Sequence, residues 1–236
     1  MTRRRFIADE VDGKHAALVG DHAHHLAKVL RGQVGQEFDI ATTTEVRRGR
    51  ITAVHPNRVE FELLEVIRDE SAPEITVALS VFKFDRMEWA IEKCTELGVA
   101  TIIPVITSRT ERHLTAAAEK RVERWRRIAR EAAQQSRRAN APEIPGPLIF
   151  AKLIAMPGQS RIFLSESEKD TMLKDVLKNC SGAVTLAFGP EGGWTEQEIA
   201  KFVENGWRPA SLGRTILRSE TAAIAAVAIA AALLSP

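Results

Sequence analysis

Near residue 70 the hydrophobic rhythm of the chain changes, and that change constrains the fold more than any single motif does. Before it, short runs alternate apolar with polar residues, as in Glu37-Phe38-Asp39-Ile40, Gly49-Arg50-Ile51-Thr52-Ala53-Val54 and Val59-Glu60-Phe61-Glu62-Leu63-Leu64. Turn formers at Gly32, Gly35 and Pro56-Asn57 separate these runs. A period of two bounded by turns predicts a small antiparallel β-domain, interrupted by one helix around 22–30. After residue 70, apolar runs at 75–82, 101–105, 161–165, 183–188 and near 210–212 alternate with helical patterns at 85–97, about 116–138 and near 172–177. Strands alternating with helices predict an α/β domain with a largely parallel sheet. Gly98 stands where a left-handed residue closes the first of those helices. The polar, proline-bearing stretch 68–74 is the linker candidate, which divides the chain into expected domains 1–70 and 74–236.

Composition narrows the function classes. The basic start, Met1 to Phe6, is followed at once by Asp9, Glu10 and Asp12 rather than by an apolar stretch, which argues against a secretory signal. The longest apolar run, Ala222 to Leu234, falls short of the ~20 residues that span a bilayer and reads as a buried helix. A soluble, cytoplasmic protein is expected. Cys94 and Cys180 are the only cysteines, far apart and without a histidine cluster, so neither a disulfide nor a metal site is indicated. The net charge of +2 conceals an asymmetry: from Ser108 to Asn140 ten Lys/Arg residues face four Glu. Such a stretch suits a polyanion.

The sharpest chemical feature is Phe188-Gly189-Pro190-Glu191-Gly192-Gly193-Trp194, between a strand and a helix that Thr195 and Glu198 start as a T-x-x-E capping box. Three glycines and a proline permit a tight turn whose main-chain groups can approach a ligand closely. The turn lacks the Gly-Lys-Ser/Thr ending of a P-loop and the spacing of a dinucleotide fingerprint, so a nucleoside-triphosphate site is disfavoured. As a bare pattern it is also an ordinary strand-to-helix turn. A second loop follows, Ser211-Leu212-Gly213-Arg214-Thr215-Ile216-Leu217-Arg218-Ser219-Glu220-Thr221-Ala222. Ser219 fits a helix cap, and Glu220 fits the positive helix N-terminus, which is the structural account of both. Arg218, flanked by apolar segments next to this second glycine-bearing turn, is a plausible donor to a carbonyl or phosphate.

These two segments, with Lys93-Cys94-Thr95-Glu96-Leu97-Gly98-Val99, His24-His25-Leu26 through Val29-Leu30-Arg31, and Glu131-Ala132-Ala133-Gln134-Gln135-Ser136-Arg137-Arg138, resemble the ribosomal RNA small subunit methyltransferase E family. The resemblance covers nearly the whole chain. It implies SPOUT-class enzymes that methylate N3 of a uridine in 16S rRNA, built as a PUA-like β-barrel and an α/β domain with a C-terminal trefoil knot, and acting as homodimers on the small ribosomal subunit. Carried over by motif, S-adenosylmethionine would be held by Gly189, Pro190, Glu191, Gly192 and Gly193 in one loop and by Leu212, Gly213, Ile216 and Leu217 in the other. Arg218 would stabilise negative charge on the uracil carbonyls, and Glu220 is the weaker candidate for accepting the N3 proton.

The long helix carries Val122, Trp125, Ile128 or Ala129, and Ala132 on one face, and Arg124, Arg127, Glu131 and Arg138 mainly on another. A solvated charged face accounts for most of these arginines taken singly. As a group, Arg124, Arg127 and Arg138 are candidates for RNA binding, with Arg3, Arg4, Arg5, His24 and Arg31 as counterparts on the first domain. Trp89, Trp125, Trp194 and Trp207 read as core, and Lys93 and Glu96 as packing or interface residues. Two alternatives stand beside the main reading: a SPOUT enzyme acting on tRNA or a ribose 2′-hydroxyl, and an RNA-binding module without catalysis.

Overall fold

The computed structural model describes residues 5–42, 45–67, 74–136, 138, 140–180 and 182–234. Arg3, Arg4 and most of the linker candidate 68–74 lie outside them. The chain separates into two compact units, Met1–Glu70 and Ser71–Pro236.

The first unit is a six-stranded sheet. Its elements are β1 (Arg5–Ile7), β2 (Glu10–Asp12), β3 (His15–Val19), α1 (Gly20–His24), β4 (Glu37–Ala41), β5 (Val46–His55) and β6 (Arg58–Val66), in strand order β1-β4-β5-β6-β3-β2. The pairings are antiparallel except β1 with β4. Alternation places Ile40, Ile51, Val59, Phe61 and Leu63 in one core with Leu18, Ala23 and Leu26. The helix expected over 22–30 is instead a short α-helical turn running into a π-helical turn, His25–Val29. Arg31 follows with φ +52, a left-handed conformation uncommon outside glycine.

The second unit is a three-layer α/β/α structure. In chain order it comprises β7 (Ile75–Ser80), α2 (Phe84–Glu96), β8 (Thr101–Ile106), α3 (Arg112–Gln135), β9 (Leu148–Ile149), α4 (Phe150–Ile154), β10 (Ser160–Leu164), α5 (Leu173–Leu177), β11 (Val184–Phe188), α6 (Glu196–Glu204), β12 (Arg208–Ala210) and α7 (Ser219–Leu234). The sheet order is β12-β10-β11-β7-β8-β9, and every pairing is parallel. Both faces are covered, as an all-parallel sheet requires. Val77, Leu79, Ile162, Leu186 and Phe188 join the core under α2, α3, α5 and α7, whereas Ala78, Ile103, Phe163 and Ala187 join Phe202, Trp194 and Trp207 on the α4 and α6 side.

Local chemistry sets the helix ends. Thr195 caps α6 as expected, its Oγ1 accepting from the Glu198 N–H while Glu198 accepts from the Thr195 N–H. Gly98 ends α2 at φ +96. The helix α3 starts at Arg112 and stops at Gln135, so Arg138 lies beyond it and donates to the Thr95 carbonyl at 2.8 Å, closing the end of α2. Its half-burial holds the guanidinium below its ordinary pKa. Arg161 ties α4 to α6 by donating to the carbonyls of Met156 and Asn205, each at 2.7 Å. Trp125, Trp194 and Trp207 are buried, but Trp89 on α2 is 48% exposed and belongs to no core.

After β12 the chain runs beside the segment that follows β10. Ser211 donates its N–H to the Thr171 carbonyl and accepts from the Leu173 N–H. The chain then enters α7, which packs on α2 and α5, opposite to the face that α6 covers. Alanine, the strongest helix former, supplies half of α7 and lets it lie close to its neighbours. Among the described residues, no helix is long and apolar enough to cross a membrane.

Candidate active site

Parallel strands end together, and in open α/β sheets the ligand crevice lies beyond their carboxyl ends. Here a cavity of about 560 Å³ opens beyond the last residues of β10, β11 and β12, Leu164, Phe188 and Ala210. Its volume lies within the ~300–1,000 Å³ of small-molecule sites. Three loops form its walls: 165–167, 189–194 and 211–218. Of the residues expected to hold a cofactor, Gly189, Pro190, Glu191, Gly193, Leu212, Gly213, Ile216 and Leu217 all line it, and so does Arg218. Gly192 and Glu220 do not.

The 189–194 turn is held from several sides. Gly193 sits at φ +68 and closes the turn by donating to the Pro190 carbonyl at 2.8 Å. A Cβ on Gly189 would lie 3.3 Å from the Gly193 backbone, a tight contact that the folded-back turn would have to yield to accept. Gly192 is confined differently: its Cβ would meet the Arg109 side chain at 3.3 Å, not the cavity. Arg109, from the loop after β8, donates Nη1 to the carbonyls of Gly192 and Trp194. Arg86, on the first turn of α2, donates Nη1 to Glu191 Oε1 at 2.6 Å. Both arginines line the cavity, and neither carried a local sequence signal. They arrive from the carboxyl ends of β7 and β8, which only the sheet order brings beside the turn.

The 211–218 loop is the more open wall. Gly213 has φ +133, and Ile216 is 79% exposed on the rim. The main-chain N–H groups of Thr215, Ile216 and Leu217 find no acceptor among the described residues. Unpaired N–H groups beside Leu212, Ile216 and Leu217 form a surface that can read a polar edge while enclosing an apolar ring. The helix α7 begins when the Arg218 carbonyl accepts from the Ala222 N–H at 2.8 Å. Ser219 is therefore the first residue inside the helix rather than its cap. Glu220 is 4% exposed, its Oε2 lacks a hydrogen-bond partner, and its Oε1 lies 3.8 Å from Arg86 Nε. Arg218 is exposed and makes no ion pair among the described residues.

The expected RNA-binding residues are scattered. Arg124 grips Glu88 with Nε and Nη2 at 2.6 and 2.8 Å, and Arg127 lies 3.9 Å from Glu131. Arg138 is the half-buried residue that closes α2. On the first unit Arg5, His24 and Arg31 are exposed. No group of three or more His, Cys, Asp or Glu side chains that could hold a metal occurs among the described residues.

Residues 69–231 match the family model of the RNA methyltransferase domain. The ribosomal RNA small subunit methyltransferase E of Synechocystis sp. is 35% identical over 219 residues, covering 89% of this chain and 71% of its own length. Its counterpart from Bacillus subtilis is 29% identical over 225 residues, 89% of this chain and 87% of its own. Among solved structures, the ribosomal RNA small subunit methyltransferase E of Neisseria gonorrhoeae bound to S-adenosyl methionine superposes with a TM-score of 0.65 at 30% identity, over 96% of this chain and 95% of that one. A methyltransferase from Legionella pneumophila in complex with the cofactor SAM gives 0.67 at 28% identity, over 98% of both chains. The 35% identity to the Synechocystis enzyme over 89% of this chain and the RNA methyltransferase domain at 69–231 together place this chain in the ribosomal RNA small subunit methyltransferase E family.

Proposed function

We propose that the chain methylates N3 of a uridine in 16S rRNA of the small ribosomal subunit, with S-adenosylmethionine as its cofactor. The observation that carries this reading is the cavity itself. Two glycine-bearing loops enclose it, Arg218 stands exposed on its wall, and the buried Glu220 follows two residues later.

The residues suit that cofactor. The N–H groups of 215–217 and the apolar Leu212, Ile216 and Leu217 match an adenine ring, and the cavity has the volume for a nucleoside with an amino-acid arm. When bound, S-adenosylmethionine supplies an electrophilic methyl group. The protein's share is orientation and exclusion of water around the acceptor base. Arg218 stabilises the negative charge that gathers on the uracil carbonyls as N3 gives up its proton. Glu220, buried behind the cavity wall with no hydrogen-bond partner for Oε2 among the described residues, is the weaker candidate for taking that proton.

The wider reading has three parts. Residues 1–70 form a PUA-like RNA-binding barrel, with Arg3, Arg4, Arg5, His24 and Arg31 as its RNA-binding groups and Arg124, Arg127 and Arg138 as further ones. The path of 211–218 past Thr171–Leu173 to the other face supports a trefoil knot. The unit works as a homodimer in the cytoplasm without metal. Mass mapping of rRNA nucleosides with and without this protein tests the assignment: loss of one N3-methyluridine supports it, and an unchanged uridine profile with another base or ribose altered overturns it.

A further inference from the structure

One side chain that neither glycine-bearing loop supplies reaches toward both. We propose that Arg86 is a positioning residue, a clasp that ties the 189–194 turn and the head of α7 to α2, and so fixes the spacing of the two loops and the place of Arg218. The proposal rests on the cofactor reading given above.

An arginine in the first turn of α2 runs against the helix dipole, which favours acids there. Its place is explained by tertiary partners instead. Nη1 donates to Glu191 Oε1 at 2.6 Å, and Nε stands 3.8 Å from Glu220 Oε1. The first contact is a charge-assisted hydrogen bond and the second is too long for one, yet close enough for strong attraction near a buried group. Among the described residues Arg86 is the sole cation within 4.0 Å of either carboxylate. Removing it would leave Glu220, 4% exposed, as an uncompensated buried charge.

The consequences converge on the reacting end of the cavity. Glu191 stands in the first loop, and Glu220 lies two residues beyond Arg218, whose carbonyl begins α7. Holding both carboxylates on one guanidinium fixes the distance between the loops and the direction from which Arg218 enters. With its charge matched twice, Arg86 is not a free receptor for phosphate. It acts through Glu191 and Glu220.

Calorimetric titration of S-adenosylmethionine into wild type, Arg86→Lys, Arg86→Gln, Glu191→Gln and the Arg86→Gln/Glu191→Gln pair tests the clasp, with RNA affinity measured alongside. The expected result is about tenfold weaker cofactor binding for Arg86→Gln, partial recovery with lysine, and a double variant no worse than Arg86→Gln alone. RNA affinity stays at the wild-type value. Wild-type cofactor affinity in Arg86→Gln, or losses that multiply in the double variant, would overturn the proposal. If Arg86→Gln does not fold, the partly exposed Glu191→Gln carries the test, and unchanged affinity there overturns the clasp. Failure of the wild type to bind the cofactor would overturn the underlying reading and the clasp with it, whereas equal binding by wild type and Arg86→Gln overturns the clasp alone.

Discussion

The main-chain N–H of Ser108 donates to Oε1 of Glu198 at 2.9 Å, joining the loop after β8 to the first turn of α6. The other oxygen of the same carboxylate accepts from the N–H and the hydroxyl of Thr195. One buried side chain thus completes a helix cap and anchors a neighbouring loop. Glu198→Ala is expected to lower unfolding free energy by about 2–4 kcal/mol, the sum of a lost cap and a stranded buried donor. Urea denaturation followed by fluorescence measures it, and a loss under 1 kcal/mol would contradict the double role.

The three glycines of the 189–194 turn are not equivalent. Gly193→Ala forces a side chain to φ +68 and toward Glu166, whereas Gly192→Ala meets only the stem of Arg109, which can move. Gly193→Ala should therefore weaken cofactor binding and stability more than Gly192→Ala, with a stability cost of about 1 kcal/mol or more. Equal behaviour of the two in calorimetry would mean that the turn is not held in this shape.

Arg218→Ala should separate chemistry from binding. The side chain is exposed and makes no ion pair among the described residues, so the fold and RNA affinity stay as they are, while the single-turnover methylation rate falls roughly 10²–10³-fold. A parallel loss of RNA affinity would recast Arg218 as a binding residue.

Among the arginines of α3, pairing sorts the contributions. Arg124 is gripped bidentately by Glu88, which raises its pKa through that hydrogen bond, whereas Arg127 has only a long contact to Glu131. Arg127→Gln should flatten the salt dependence of RNA binding by about one counterion, and Arg124→Gln should change it less. The reverse order in titrations at several salt concentrations would contradict this ranking by ion pairing.

Much of this architecture was legible because long elements carry period and punctuation. The T-x-x-E box, Gly98 and the apolar runs of β7, β8, β10 and β11 each name their element. What escaped has local causes. β9 and α4 span two and five residues after Pro145-Gly146-Pro147, too short for periodicity to register. β1 and β2 are three residues each. The π-helical turn at His25–Val29 has no local sequence signal. At the site, the loops with glycines announced themselves, whereas Arg86, Arg109 and Glu166 look like ordinary surface charges until the sheet order gathers them.

Burial pushes the Cys94 thiol up to about 12 from 9.0. Between those values the unfolded chain ionises this thiol and the folded one does not, so stability is full below pH 9 and is lost as pH rises toward 12. The slope approaches about 1.4 kcal/mol per pH unit within that window. Cys94→Ala should flatten this alkaline limb in denaturation curves taken from pH 8 to 11. An identical limb would assign it to other groups.

The parallel edge of β10 has its partner, β12, only after α5, β11 and α6 have intervened. During synthesis, Ile162 to Leu164 therefore emerge as an open strand edge and stay so until Arg208 to Ala210 arrive. Such edges template pairing with other chains. A nascent polypeptide halted before Arg208 would hold most of its hydrophobic core yet lack the third wall of the cavity, and it would present that edge to its neighbours. Readiness for methyl transfer is thus the last property this polypeptide acquires, and the order in which its strands are made exposes it to self-association before it can do any chemistry.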